Sequence, residues 1–157
     1  LSWGDTYISA IGQGYFLTTP VEIAIYIASI ANNGEIIVPR LVKNENFYPK
    51  VPQRNLGIPE KHFKTIKEGM RMAVTEGTAQ GLIFPDLKIA AKTGTAEVGG
   101  KKNFSHSWVI GFYPYENPKY SFALVLEKGP AGNLIGAPYA MRQVFDWLKI
   151  YHPEYVR

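Results

Sequence analysis

Four consecutive residues, Lys92-Thr93-Gly94-Thr95, combine a cation, two hydroxyls and a residue with no side chain. They fall within a stretch, Lys88–Glu97, that reads as a β-strand, where side chains alternate between faces. Lys92 therefore points to one face, and Thr93 and Thr95 to the other. All three can border one ligand only if it lies along the edge of the strand. Gly94 then removes the side chain that would block that approach, since an interior strand glycine marks a bulge or a close contact with another backbone or a ligand. The chemistry this offers is recognition of an extended peptide by strand addition. The threonine hydroxyls would hold a carboxylate, Lys92 would supply positive charge, and the strand edge would supply backbone donors. The triplet Lys-Thr-Gly alone occurs by chance in roughly 3% of chains of this length, given ordinary residue usage. Two readings of Gly94 thus stand side by side at this point: relief of packing against a neighbouring strand, or clearance for a ligand.

Other residues offer less. His106 lies in a strand near Ser105 and Ser107 with no carboxylate close in sequence, which favours a structural histidine over a general base. His62 and His152 belong to no metal pattern such as His-Glu-x-x-His, and Gly12-Gln13-Gly14 lacks the third glycine and helix context of a dinucleotide or phosphate loop. No metal or cofactor is expected. Glu22 reads as a helix cap. The basic segment Val98-Gly99-Gly100-Lys101-Lys102 reads equally as a cleft rim or a plain connection.

The elements that must position the tetrad follow from pattern. Thr19-Pro20-Val21-Glu22 starts a helix, with Thr19 as cap, Pro20 at the first helical position and Glu22 completing a capping box. Ile23 to Ala31 is apolar almost all round, which predicts burial on most sides; Gly34 ends the helix. Glu35–Val42 reads as a strand made edge-like or broken by Pro39, and Asn44–Gly57 as a surface connection. A helix from about Pro59 to Glu76 places Phe63, Ile66, Met70 and Ala73/Val74 on one face and Lys64, Lys67, Glu68 and Arg71 on the other. Three antiparallel strands follow (Lys88–Glu97, Ser105–Tyr113 and Tyr120–Lys128), the last two joined by Pro114–Pro118. A glycine-rich loop, Gly129–Gly136, leads to a closing helix, Ala137 to about Tyr151. This is an α+β sandwich with helices packed on a largely antiparallel sheet.

The 157 residues carry 46% hydrophobic, 13% aromatic and 19% charged residues, a net charge of +4 and no cysteine. The aromatic content excludes disorder, collagen and coiled coil, and no apolar run reaches the ~18 residues of a membrane span. The absence of cysteine excludes disulfides and thiol catalysis. The basic residues are interleaved with acidic ones (Lys61, Lys64, Lys67 and Arg71 among Glu60 and Glu68), so no nucleic-acid partner is expected.

Read in order, the segments resemble the C-terminal half of the transpeptidase domain of class B penicillin-binding proteins. The resemblance rests on Trp3-Gly4-Asp5-Thr6, Ile11-Gly12-Gln13-Gly14, Thr19-Pro20, Ala31-Asn32-Asn33-Gly34, Gly77-Thr78-Ala79, Lys92-Thr93-Gly94-Thr95-Ala96-Glu97 and His106 to Pro114. The Gly-Gln-Gly form and the His-x-Trp strand look most like the family's elongation enzymes of rod-shaped bacteria. The Lys-Thr-Gly triad is one of three motifs shared with serine β-lactamases. The resemblance implies a D,D-transpeptidase that cross-links peptidoglycan stem peptides and is acylated by β-lactams. It gives Lys92 a catalytic role in the proton-relay network and the substrate carboxylate's charge, and Thr93, Gly94 and Thr95 the substrate-binding roles. It also makes the backbone N–H of Thr95 an oxyanion donor.

The family's nucleophile sits in Ser-x-x-Lys and its second motif is Ser-x-Asn. None of Ser2, Ser9, Ser29, Ser105, Ser107 and Ser121 fits either pattern. The expectation is that residues 1–157 form the C-terminal portion of a domain whose N-terminal part lies upstream, so that this chain alone is inactive. The alternative is a catalytically silent relative that binds peptidoglycan or a partner. The resemblance further implies an elongation-machinery polymerase and scaffold as partners, and an extracytoplasmic domain tethered to the inner membrane by a segment outside this chain.

Overall fold

The computed structural model describes residues 2–42, 54–98, 103–132 and 135–156. The pair Lys101-Lys102, most of the Asn44–Gly57 connection and the centre of the Gly129–Gly136 loop lie outside the described residues.

Nine main elements follow in chain order among the described residues: α1 (Trp3–Ala10), α2 (Pro20–Ala31), β1 (Glu35–Ile36), β2 (Arg54–Asn55), α3 (Glu60–Thr75), β3 (Ala90–Val98), β4 (Phe104–Tyr113), β5 (Tyr120–Pro130) and α4 (Ala137–Tyr151). Short 3₁₀ turns stand at Gln80–Leu82 and Pro153–Tyr155. The strands β3, β4 and β5 form an antiparallel sheet in that order, and β1 pairs with β2. The α+β architecture read from the sequence is the one observed.

The starts of α1 and α2 have a local cause. At α2, the Thr19 hydroxyl accepts the Glu22 N–H at 3.3 Å while Glu22 accepts the Thr19 N–H at 2.7 Å, the reciprocal capping box expected. Helix α1 is an element the pattern reading does not anticipate. Ser2 and Asp5 cap it in the same reciprocal way, with aspartate in place of the usual Glu or Gln. It buries none of its side chains, so no apolar stripe announces it.

The sheet is covered on both faces. Ala91, Val109, Phe122, Ala137, Met141 and Phe145 belong to one core, between sheet and α4, joined by Val74 from α3. Ile27, Ile30, Met70, Ala90 and Phe112 form the other, between sheet, α2 and α3. The two cores alternate along each strand: Ala90 and Ala91, and Phe112 and Tyr113, face opposite ways. By the same alternation Thr93 and Thr95 stand on the α4 face of β3, and Lys92 and Gly94 on the α2 face.

Three expectations are corrected. Helix α2 is fully buried only from Ile27 onward; Val21 and Tyr26 are half exposed, while Ile23 is partly buried against the core and the Ala24 carbonyl accepts from Ser121 Oγ of β5 at 3.0 Å. Among the described residues the strand predicted over Glu35–Val42 spans only Glu35–Ile36, and Pro39, with no N–H, could not have served as a ladder donor further on. On α3, Ile66 is exposed, whereas Lys67 and Arg71 turn inward to polar partners: Lys67 donates to Asn33 Oδ1 at 2.7 Å and Arg71 to the Ile89 carbonyl at 2.7 Å. The second bond fixes α3 to the chain just before β3.

Candidate active site

β3 is an edge strand: among the described residues its only strand partner is β4. Within the tetrad, Lys92 pairs with Ile110, Thr93 with Val109, Gly94 with Trp108 and Thr95 with Ser107. In an antiparallel ladder each residue's N–H and C=O point together, toward the partner or away from it, alternating along the strand. The carbonyls of Thr93 and Thr95 are both taken by side chains. Lys92 Nζ donates to the Thr93 carbonyl, and Gln13 Nε2 donates to the Thr95 carbonyl at 3.4 Å. Both threonines therefore turn their backbone groups to the open edge, and the Thr95 N–H faces outward with its carbonyl. The Lys92 amine, whose residue stands on the opposite face, is bent round to that same edge. The tetrad brings together on one edge a cation, two hydroxyls and an outward backbone donor.

The two readings of Gly94 are separated by its surroundings. A Cβ there would meet only Trp108 Cβ, at 3.6 Å, an ordinary contact. Packing within the chain does not require glycine at this position. Gly111, in the middle of β4, is the contrasting case: a Cβ would lie 2.3 Å from the Ala90 carbonyl oxygen and 2.6 Å from Phe122 Cζ.

The edge opens into two clefts. One, of about 430 Å³, lies on the α4 side and is bordered by Thr78, Thr93, Thr95, Ser107, Tyr139 and Arg142. The other, of about 460 Å³, lies on the α1–α2 side and includes Gln13, Phe16, Lys92, His106, Trp108 and Glu127. In the first cleft the hydroxyls of Thr78 and Thr93 are 2.6 Å apart. Arg142 is held by its own chain, donating from Nη1 to the carbonyls of Gly81 (3.0 Å) and Ile83 (2.9 Å) and lying over the Phe84 ring. Ser107 Oγ accepts the Ala137 N–H at 2.9 Å, which starts α4 in place of a cap from Gly136.

His106 has a structural task. Between Ser105 and Ser107 the β4–β5 register slips, so that Glu127 and Lys128 oppose one residue, His106. Lys128 adopts φ 52°, and its N–H, lost from the ladder, is accepted by His106 Nδ1 at 3.1 Å. The ring thus supplies the acceptor that the bulge takes away from the Lys128 N–H. His62 and His152 lie away from the tetrad. Glu22 is the cap it was read to be, and its bonds from Thr19 hold its carboxyl below the usual range. No group of three or more His, Cys, Asp or Glu that could hold a metal occurs among the described residues.

Two residues at the site escaped the reading by residue type. Gln13 reaches the strand edge across 82 positions of sequence; its only signal was its place in the Gly-Gln-Gly resemblance. Thr78, similarly, carries no signal beyond its place at the centre of Gly77-Thr78-Ala79.

Comparison with known proteins gives this geometry a family. The penicillin binding protein transpeptidase domain profile matches residues 2–146. The chain belongs to that family. Peptidoglycan D,D-transpeptidase MrdA of Escherichia coli (strain K12) is 31% identical over 170 residues, which cover 94% of this chain and 26% of that protein. Penicillin-binding protein H of Bacillus subtilis (strain 168) is 30% identical over 164 residues, 90% of this chain and 23% of its own length. Among solved structures, Pseudomonas aeruginosa PBP2 in complex with WCK 5153 superposes with a TM-score of 0.76 at 31% identity, over 95% of this chain and 34% of that one. Helicobacter pylori PBP2 in its complex with MreC gives 0.77 at 31% identity, over 95% and 28%. The chain thus spans about a quarter of the length of the curated relatives it matches. No described helix is long and apolar enough to cross a membrane.

Proposed function

We propose that residues 1–157 are the C-terminal portion of the transpeptidase domain of a peptidoglycan D,D-transpeptidase, and that β3 is the strand against which the substrate's terminal carboxylate lies. The observation that carries this reading is the convergence of Lys92, the Thr93 and Thr95 hydroxyls and the outward Thr95 N–H on one open edge, at a glycine that packing does not demand. A D-alanyl-D-alanine end, or the fused ring of a β-lactam, would add along this edge. The Thr93 and Thr95 hydroxyls donate to its carboxylate, and the Lys92 ammonium neutralises it.

The reaction is acyl transfer. A serine hydroxyl attacks the carbonyl of the penultimate D-alanine; the terminal D-alanine leaves as its amine with the serine's proton, and an ester remains. A neighbouring stem's amine then attacks that ester, forms the new amide and returns the proton to serine. The Thr95 N–H donates to the oxyanion in both tetrahedral intermediates, a contribution of roughly 3–4 kcal/mol per donor. Lys92 belongs to the network through which the serine proton moves. The serine itself comes from the part of the protein preceding Leu1, because no serine of this chain is followed by lysine three residues on. Trp3, Tyr7, Tyr15, Phe16 and Leu17, between 66% and 93% exposed, support a further layer of protein over this end of the chain. Single surface apolar residues are ordinary, but such a concentration marks an interface.

A membrane-tethered extracytoplasmic setting, a glycan polymerase and a scaffold protein are proposed for the complete protein. The scaffold is supported by the Helicobacter pylori relative, which is solved in complex with MreC. The catalytically silent alternative is favoured by the serine inventory alone. Labelling by a fluorescent penicillin decides between the two. Covalent labelling of the complete protein but not of residues 1–157 alone is expected. A complete protein that folds and stays unlabelled would establish the silent relative.

A further inference from the structure

The segment Gly77-Thr78-Ala79 is fixed in place residue by residue. Gly77 follows the last turn of α3, and its N–H returns to the Met72 carbonyl at 3.1 Å. A Cβ at Gly77 would lie 2.8 Å from Ala73 Cα and 3.0 Å from the Ala73 carbonyl oxygen, so only glycine lets the chain leave the helix this closely. Ala79 is fully buried in the core on the α4 face, and its N–H donates to the Ala73 carbonyl at 2.9 Å. Between two anchored neighbours, Thr78 has little freedom, and its hydroxyl lies 2.6 Å from that of Thr93. Both threonines border the cleft on the α4 side.

That contact has a direction once the ligand is specified. A threonine hydroxyl has one proton and two lone pairs, whereas an ionised carboxylate can only accept. Thr93 holding a carboxylate spends its proton on the ligand. The 2.6 Å contact must then be donated by Thr78 and accepted by Thr93. We propose that Thr78 is a positioning residue for carboxylate recognition: its hydroxyl donates to Thr93 Oγ1, turns the Thr93 proton into the cleft and strengthens its donation to the ligand. In a hydrogen-bonded chain each donor polarises the next. Without Thr78 the Thr93 hydroxyl is free to rotate its lone pairs toward the carboxylate. Selectivity for ligands bearing a free carboxylate is therefore set partly by Thr78 acting through Thr93.

This rests on the reading that Thr93 binds the carboxylate, and the experiment separates the two. In the full-length protein, the rates of acylation by benzylpenicillin and by its methyl ester are compared for wild type, Thr78→Val, Thr78→Ser and Thr93→Val, alongside thermal melts. Thr78→Val should slow acylation by the free acid about five- to tenfold. It should leave acylation by the ester unchanged, so that the acid-to-ester ratio falls, and Thr78→Ser should restore the ratio. A Thr78→Val ratio equal to wild type would overturn the inference, whether the rates are both normal or both reduced. A wild-type ratio in Thr93→Val would instead overturn the carboxylate reading beneath it. Melting temperatures matching wild type in Thr78→Val and Thr78→Ser place the change in recognition, and a lowered Thr78→Val melting temperature with equal loss on both ligands identifies a structural role and refutes the relay.

Discussion

Adding one methyl group at Gly94 separates clearance for a ligand from relief of packing. The Cβ of Gly94→Ala would touch only Trp108 Cβ at 3.6 Å, so no neighbour has to move. Alanine in place of an interior strand glycine recovers about 0.5–1 kcal/mol of backbone entropy. A domain larger than these 157 residues moves its melting temperature by no more than roughly 2–4 °C per kcal/mol, so a rise of at most about 1–4 °C is expected. The same methyl group stands where a ligand must lie against the backbone of β3. Displacing the reacting carbonyl by even ~1 Å costs on the order of 10²-fold in rate. Gly94→Ala in the complete protein should therefore melt no lower than wild type while its acylation by a fluorescent penicillin slows about 100-fold. The assay is a pair of measurements on one sample, a thermal melt followed by circular dichroism and a time course of label incorporation. Loss of stability would mean that the glycine serves packing after all. Normal acylation in a stable variant would mean that no ligand passes over Gly94, and the edge-strand argument would fall with it.

Three further outcomes follow from the same contacts. Gly111→Ala should cost at least the upper end of the ~1–3 kcal/mol typical of overpacking, because its Cβ would lie 2.3 Å from the Ala90 carbonyl oxygen; urea denaturation within a few tenths of wild type would contradict the packing described. Ser107→Ala leaves the Ala137 N–H, in a fully buried residue, without its acceptor. A loss of about 1–3 kcal/mol is expected in urea denaturation, and no loss would show that α4 does not depend on Ser107. Tyr113 is buried beside Tyr120, Phe122 and Phe145, and burial first, then the charge Tyr120 would carry, pushes its hydroxyl from 10.0 up to about 12. The raised value means that the folded state favours the neutral phenol. This contribution is complete below pH 10 and is lost as the pH rises toward and through 12. Ultraviolet titration should show a late phenol that Tyr113→Phe removes; simultaneous ionisation of all tyrosines near pH 10 would refute it.

Much of this was legible because local physics and tertiary structure agree. Thr19 and Glu22 announce α2 and cap it. The alternation of Trp108, Ile110 and Phe112 with Ser107, Val109 and Gly111 predicts the two faces of β4, and the same alternation in the tetrad predicts that only an edge-bound ligand can meet Lys92, Thr93 and Thr95 together. What was hidden depends on partners distant in sequence. The 82 residues between Gln13 and Thr95 carry no periodic sign of their contact. Nothing in the sequence near Thr78 names Thr93 as its partner. Helix α1 has a cap but no buried stripe, so hydrophobic patterning passes over it. His106 drew attention as a titratable group, yet its imidazole compensates for a bulge that neither strand announces. For Gly94 the sequence left two explanations equal, and only the space around its missing Cβ distinguishes them.

The most direct test of β3 as the carboxylate-binding strand is a crystal structure of the complete protein acylated by benzylpenicillin. The account predicts the ligand carboxylate within hydrogen-bond distance, ~2.5–3.0 Å, of both Thr93 Oγ1 and Thr95 Oγ1, with the acyl oxygen accepting from the Thr95 N–H. A carboxylate held elsewhere, such as in the cleft beside His106 and Glu127, with the Thr93 and Thr95 hydroxyls unengaged, would contradict it.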